Sequence, residues 1–228
     1  MLESLLIANR GEIARRIIRT ARRLGVRTIA VYSQADAAMP FVREADAALC
    51  LGGAAALDSY LAQDKLLAAA KASGATGIHP GYGFLSENAQ FADSVVRAGL
   101  IWVGAPPAAI RAMGRKDSAK QLMIDAGVSV TPGYLGADQS PNSLAQEAER
   151  IGYPVLIKAV AGGGGRGIRK ILAAAEFRDA LDSCRREARA AFGDDRVLLE
   201  KYVERPRHIE VQVCGDTFGE VVHLFERD

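Results

Sequence analysis

A lysine followed closely by a run of glycines is the most chemically suggestive stretch of this sequence. Lys158-Ala159-Val160-Ala161 leads into Gly162, Gly163, Gly164 and Gly165, then Arg166 and Gly167. Four consecutive glycines between strands cost backbone entropy and pack nothing. In return they let successive backbone N–H groups approach an anion, and such groups in a turn make a concave anion site. Lys158 would add a point charge to the same phosphates. No GK[ST] follows, so this is not a Walker loop. The plainer alternative is a floppy hairpin tip with a surface lysine.

Other polar residues invite similar questions. In HPGYGFLSEN, His79 and Glu87 could form a general acid/base pair. The alternative is structural, and it is the reading adopted: Gly81 and Gly83 as turn positions, Ser86 and Glu87 as a helix start. Near the end, His208, Glu210 and Gln212 alternate with Ile209, Val211 and Val213. A period of two places the three polar groups on one face of a strand.

The elements that must position these groups follow from periodicity. Leu5–Ala8, Thr28–Val31, Ala48–Leu51, Gly77–His79 and Ile101–Val103 read as strands. Glu12–Leu24, Leu61–Ser73 and Glu87–Ala98 read as helices between or after them. That alternation predicts a parallel sheet covered by helices on both faces. Ala108–Gly127 is helical with a break near Gly114, and Thr131-Pro132-Gly133 is a turn. Ser140 caps a helix that opens on Pro141 and runs to about Ile151. Pro154–Ala159 and Ile168–Leu172 form a hairpin around the glycines. Phe177, Leu181, Cys184 and Ala188 mark one helix face, and Val197–Val203 is a strand. Val221–Phe225 would pair with the 208–213 strand across a turn at Cys214-Gly215-Asp216.

Composition excludes several classes. Lys plus Arg is 29, Asp plus Glu is 27 and the net charge is +2, too balanced for nucleic-acid binding by bulk electrostatics. Arg15, Arg16, Arg19, Arg22 and Arg23 spread over the polar side of a helix and read as a solvated face. No apolar run approaches the roughly 18 residues of a membrane helix. The N-terminus has no basic region ahead of its first apolar stretch, which argues against a secretory signal; a cytoplasmic location is the expectation. Cys50, Cys184 and Cys214 are widely spaced and form no CxxC pair, so they read as reduced, buried, small apolar residues.

Four stretches together carry a resemblance. IANRGEIARRI (Ile7–Ile17), HPGYGFLSEN (His79–Asn88), GYPVLIKAVAGGGGRGIRKI (Gly152–Ile171) and EKYVERPRHIEVQV (Glu200–Val213) are similar, in order and spacing, to the biotin carboxylase family. The pattern is closest to the biotin carboxylase subunits of acyl-CoA carboxylases. REARAAFGDD (Arg186–Asp195) and LFERD (Leu224–Asp228) resemble the methylcrotonyl-CoA type.

The resemblance implies an α/β architecture. Residues 1–113 would be a Rossmann-like parallel-sheet domain and 114–130 a helical linker. Residues 131–203 would be the α+β ATP-grasp lid, and 204–228 the start of a central antiparallel sheet. It implies an ATP site: Lys116 and Lys158 on the nucleotide, Gly164 and Gly165 over the phosphates, Glu200, Lys201, Tyr202 and Val203 around the adenine, His208 near the ribose. Hinge backbone groups can read an adenine edge with one donor and one acceptor, and Glu200 can accept from a ribose or adenine donor. Taken alone, Lys116 would be a solvent-exposed helix lysine and His208 a half-exposed strand histidine.

The implied cofactors and substrates are ATP, Mg2+, bicarbonate and biotin on a carrier domain. The implied partners are that domain, a carboxyltransferase subunit and a second biotin carboxylase unit. The family's bicarbonate-binding, magnesium-binding and catalytic residues are expected beyond residue 228, so residues 1–228 alone are expected to be inactive.

Three other functions compete with this one. Another ATP-grasp ligase, such as one making carbamoyl phosphate, would share the nucleotide residues. A nucleotide-responsive or assembly module would lack turnover. A Rossmann oxidoreductase is disfavoured because Ala8-Asn9-Arg10-Gly11 lacks GxGxxG.

Overall fold

The computed structural model describes residues 2–114, 116–161 and 167–228, with Lys116 described by its backbone alone. The chain divides into two compact units, Met1–Leu122 and Met123–Asp228.

In the first unit, strands and helices alternate as β1 (Ser4–Ile7), α1 (Gly11–Arg23), β2 (Arg27–Ser33), α2 (Pro40–Glu44), β3 (Ala47–Gly52), α3 (Gln63–Ser73), β4 (Gly77–His79), α4 (Ala89–Arg97), β5 (Ile101–Trp102) and α5 (Pro107–Met113). A further helix, α6 (Lys116–Asp125), runs across the division between the units. The sheet order is β3-β2-β1-β4-β5, and every pairing is parallel. The central strand β1 is buried along its whole length because both faces of the sheet are covered. Leu5 and Ile7 pack with Ile17, Ile18 and Phe41 on one side; Leu6 packs with Leu66, Phe91 and Val95 on the other. This is why β1 reads as an unbroken apolar run.

Helix α1 buries Ala14, Ile17, Ile18 and Ala21, one stripe at helical spacing. Its arginine face is only partly a solvated one. Arg15 pairs with Glu44 of α2 at 2.6 Å, and Arg22 donates to the Glu44 carbonyl. Hydrogen bonding to Arg15 holds the Glu44 carboxyl below its ordinary pKa. Helix α2 has no counterpart in the sequence reading, since five residues are too few to show a period.

Two polar clusters sit at the carboxyl ends of the parallel strands. Asp36, only 2% exposed, accepts from Ser33 Oγ at 3.0 Å, Tyr60 Oη at 2.7 Å and Arg10 Nη2 at 2.7 Å. Burial, then the bond to Asp36, pushes the Tyr60 hydroxyl up to about 12. The second cluster lies where the strand order reverses between β1 and β4, the place where open α/β sheets usually take a ligand. Here Asn9, buried, donates its amide to the carbonyls of Pro80 and Tyr82, each at 2.7 Å. Gly81 has φ +67°, and a Cβ there would stand 2.8 Å from Asn9 Nδ2.

The second unit contains β6 (Gly133–Tyr134), α7 (Pro141–Ile151), β7 (Val155–Ala159), β8 (Ile168–Ile171), α8 (Phe177–Phe192), β9 (Val197–Lys201), β10 (Glu210–Gly215) and β11 (Val221–Arg227). Four strands form an antiparallel sheet in the order β6-β9-β7-β8. Leu144 and Ala148 of α7 and Phe177, Leu181 and Cys184 of α8 close over Val155, Ile157, Ile171, Val197 and Leu199. The cap on α7 is the expected one, with Ser140 Oγ accepting from the Ser143 N–H.

Strands β10 and β11 pair antiparallel, and three expectations need correction around them. β10 begins at Glu210, so His208 lies outside the strand. A register shift between Val211 and Val213 breaks the alternation that placed His208, Glu210 and Gln212 on one face. The turn falls at 216–220, where Asp216 Oδ1 accepts from the N–H groups of Phe218 and Glu220. The cysteines need correction too: Cys184 is buried, whereas Cys50 and Cys214 are exposed. Cys50 sits on the edge strand β3, one face of which is half open.

Candidate nucleotide site

Strand pleat decides which residues of the second sheet can share a site. Opposite residues in an antiparallel pair project to the same face, and neighbours along a strand alternate. Val155, Ile157, Val197 and Leu199 face the helices. Lys158 on β7 and Glu200 on β9 therefore share the opposite face, since Lys158 pairs with Leu198 and Leu156 with Glu200. Their side chains meet in an ion pair with most of their surface covered, 22% and 18% remaining exposed. A cation so placed has shed much of its water and can be matched by a ligand anion at little extra desolvation cost.

The chain leaves this sheet just after Lys201. The Tyr202 ring lies under Lys170 Nζ, 3.8 Å from the ring centroid, a cation–π contact. The Tyr202 N–H donates to Pro154 O at 3.0 Å, and the Lys201 N–H to Pro132 O at 2.8 Å. The Val203 N–H has no hydrogen-bond partner among the described residues, and the residue is 51% exposed. The Lys201 side chain goes to the other face. Its Nζ donates to Gly152 O at 2.8 Å and Tyr153 O at 2.9 Å, closing the end of α7 as a basic group does at a helix C-terminus.

The structure thus pairs Lys158 with Glu200 and sets Tyr202 against Lys170 of the same sheet, with Val203 next along the chain. It gives the Lys201 side chain a separate, structural task. His208 is 86% exposed, and its recorded polar neighbour is Glu210 at 3.8 Å. Lys116 opens α6. Gly164 and Gly165 lie outside the described residues. Lys170 was absent from the sequence reading; its register opposite Leu156, on the Lys158 face, is the signal that would have found it. Among the described residues no group of three or more His, Cys, Asp or Glu side chains could hold a metal ion.

His79 and Glu87 make no hydrogen bond with each other among the described residues. His79 Nδ1 accepts the Gly81 N–H at 2.9 Å, and Gly81 and Gly83 adopt positive φ as turn residues. The helix cap is Asn88, which accepts from the Phe91 N–H at 2.8 Å, two residues past the expected Ser86. Burial lowers the His79 pKa below its ordinary 6.5. The unfolded chain therefore takes the proton first, so this stabilisation is complete above about pH 6.5 and fades as pH falls through the folded pKa. Melting temperatures between about pH 7 and about pH 5 should fall less steeply for His79→Phe than for wild type. Identical slopes would show that His79 does not contribute.

Comparisons with known proteins match this architecture over both units. Residues 1–110 match the model of the biotin carboxylase N-terminal domain. Residues 115–228 match that of the carbamoyl-phosphate synthase L chain ATP-binding domain. The methylcrotonoyl-CoA carboxylase subunit alpha of Dictyostelium discoideum is 55% identical over 227 residues, covering 100% of this chain and 32% of that protein. This chain therefore spans about a third of the length of such relatives.

Among solved structures, the biotin carboxylase–βγ-ATP complex from Campylobacter jejuni superposes with a TM-score of 0.90 at 45% identity, covering 98% of this chain and 50% of that one. The biotin carboxylase domain dimer of the Hydrogenobacter thermophilus 2-oxoglutarate carboxylase, in complex with MgADP, ADP and bicarbonate, gives 0.88 at 43% identity, covering 99% and 50%. The N-terminal match is to a biotin carboxylase domain, the relatives match across the whole chain, and the solved biotin carboxylase superposes over nearly all of it: this chain belongs to the biotin carboxylase family and carries its N-terminal and ATP-binding domains.

Proposed function

We propose that the protein containing this chain carboxylates biotin with ATP and bicarbonate, as the biotin carboxylase component of an acyl-CoA carboxylase of the methylcrotonyl-CoA type. The observation that carries this is the Lys158–Glu200 pair on one face of a sheet whose chain matches an ATP-binding domain and follows a biotin carboxylase N-terminal domain. In this reading residues 1–113 are the parallel-sheet domain, 114–130 a helical linker, 131–203 the lid and 204–228 the start of the central sheet. Lys116, Lys158, Gly164 and Gly165 serve the phosphates. Glu200 and the 201–203 backbone serve the base, and His208 serves the ribose.

The reaction transfers the γ-phosphoryl group of ATP to a bicarbonate oxygen, giving ADP and carboxyphosphate. Carboxyphosphate releases carbon dioxide and phosphate, and the biotin ureido nitrogen attacks the carbon dioxide as its N–H proton passes to the released phosphate. Phosphoryl transfer is limited by charge and positioning. The task assigned to this chain is to hold the nucleotide with fixed cations. Magnesium supplies further charge neutralisation; its ligands, and the residues acting on bicarbonate, are proposed to lie beyond residue 228. The partners proposed are a biotin carrier domain, a carboxyltransferase subunit and a second copy of the subunit. A cytoplasmic setting is proposed as well, supported by three cysteines that are all free and fit a reducing compartment. Cell fractionation tests it, with a mitochondrial signal as the contrary outcome.

The test of activity is phosphate release from ATP by the full subunit, with and without bicarbonate and free biotin. Release requiring both is the expected result, with none from residues 1–228 alone. A second reading has one observation behind it, the match of residues 115–228 to a carbamoyl-phosphate synthase domain. Release that ignores biotin and responds to ammonia would favour that reading.

A further inference from the structure

The residue that closes the hairpin after Lys158 is held from outside the hairpin. Gly167 O accepts the Ala159 N–H at 2.8 Å, making the rung immediately beyond Lys158. Gly167 has φ +67°, and a Cβ on it would stand 2.8 Å from the Ala159 Cβ. Both of its polar groups are bound by α8: Cys184 Sγ donates to Gly167 O at 3.2 Å, and Glu187 Oε1 accepts the Gly167 N–H at 3.3 Å. Spaced three apart, Cys184 and Glu187 lie on one face of that helix. The other Glu187 oxygen accepts from Arg169 Nη2 at 2.7 Å, which fixes the carboxylate. Cys184 is fully buried, and that burial pushes its thiol pKa up, so the Sγ–H stays a donor.

We infer that Glu187, assisted by Cys184, is a positioning residue for Lys158, acting through Gly167. The tetraglycine segment between Ala161 and Arg166 has no side chains whose packing could set this rung. The helix supplies the constraint that the hairpin's own sequence cannot. Slack at Ala159–Gly167 lets the end of β7 twist, and Lys158 Nζ moves with it. A misplacement of about 1 Å in a group that orients a reactant is enough to cost about a hundredfold in rate. The inference rests on the nucleotide role proposed for Lys158.

The experiment uses the full subunit with Glu187→Ala, Glu187→Gln and Cys184→Val. Two quantities are read: KM for ATP and for bicarbonate, and hydrogen exchange of the segment 155–171. Glu187→Ala should raise KM for ATP about tenfold with KM for bicarbonate within about twofold, and should speed exchange at Gly167. Glu187→Gln keeps an acceptor for the Gly167 N–H and should stay within about threefold of wild type, with Cys184→Val between the two. An unchanged KM for ATP in Glu187→Ala overturns the inference, even if exchange quickens, because the contact would then be structural only. So does a Glu187→Gln variant as impaired as Glu187→Ala, which would point to the Arg169 pair. Should the wild type itself show no dependence on ATP, the nucleotide reading fails on that measurement alone, and equal exchange in wild type and Glu187→Ala separately removes the anchor.

Discussion

Lys158→Met in the full subunit is expected to lower kcat/KM for ATP by about a hundredfold. A hydrogen bond from a charged donor contributes about 1.5–3 kcal/mol, which corresponds to about ten- to a hundred-fold in affinity. The upper end applies here because Lys158 is mostly screened from water, at 22% exposed, and a phosphate there meets little competing solvent. Stability should fall as well, because Glu200, mostly covered, loses an ion-pair partner, although the α7–α8 core on the other face of the sheet is untouched. Lys158→Arg should not restore activity, since a planar fork on a longer stem reaches a different point than an ammonium. Steady-state kinetics with ATP varied and bicarbonate and biotin saturating makes the measurement. A Lys158→Met enzyme within about threefold of wild type would remove Lys158 from the nucleotide site.

The second large effect is on folding. Asp36→Ala should destabilise the first unit by about 3 kcal/mol, because truncating one member of a buried, charged hydrogen-bond network leaves its partners unsatisfied. Tyr60 Oη and Ser33 Oγ lose an acceptor where both residues are 1% exposed. Arg10, about half exposed, can turn to water, which keeps the cost from rising further. Trp102, packed edge-on against Phe91 at 5.7 Å, is the one tryptophan in the chain and reports urea unfolding of this unit.

Tyr60 adds a pH signature. Its folded pKa of about 12 exceeds the ordinary 10.0, so the folded state holds this proton more tightly. That stabilisation is complete below about pH 10 and is lost as pH rises through about 12. Part of that alkaline limb should vanish in Asp36→Ala. A midpoint unchanged from wild type would show that the network contributes nothing.

Sequence and structure agree most where a periodic signal is long. Helices α1, α4, α7 and α8 were legible because their apolar stripes repeat over several turns. Helix α2 and strand β6, five and two residues long, carry too little pattern. The Asn9 clasp was out of reach for another reason: its partners are backbone carbonyls more than seventy residues away, and any sequence supplies carbonyls.

The candidate site shows the same limit. Lys158 and Glu200 are 42 residues apart, and only the family resemblance joined them in advance. Alternation along β9 could have separated Lys201 from Glu200 and Tyr202 at once, since the side chain between two neighbours on a strand points the other way. Alternation misled at His208 because the strand starts only at Glu210, and at Gln212 because a bulge between Val211 and Val213, invisible in residue type, resets the faces.

The two faces of the β6-β9-β7-β8 sheet separate what folding demands from what a ligand would demand. Val155, Ile157, Val197 and Leu199 answer to the helices, whereas Leu156, Lys158, Lys170 and Glu200 project the other way. Substitutions at Leu156 or Lys170 can therefore accumulate without emptying the core, so the unit is mutationally robust on one side and evolvable on the other. A library confined to that outward face should yield mostly folded proteins that differ in the nucleotide they prefer, whereas the same diversity on the inward face should yield mostly unfolded chains.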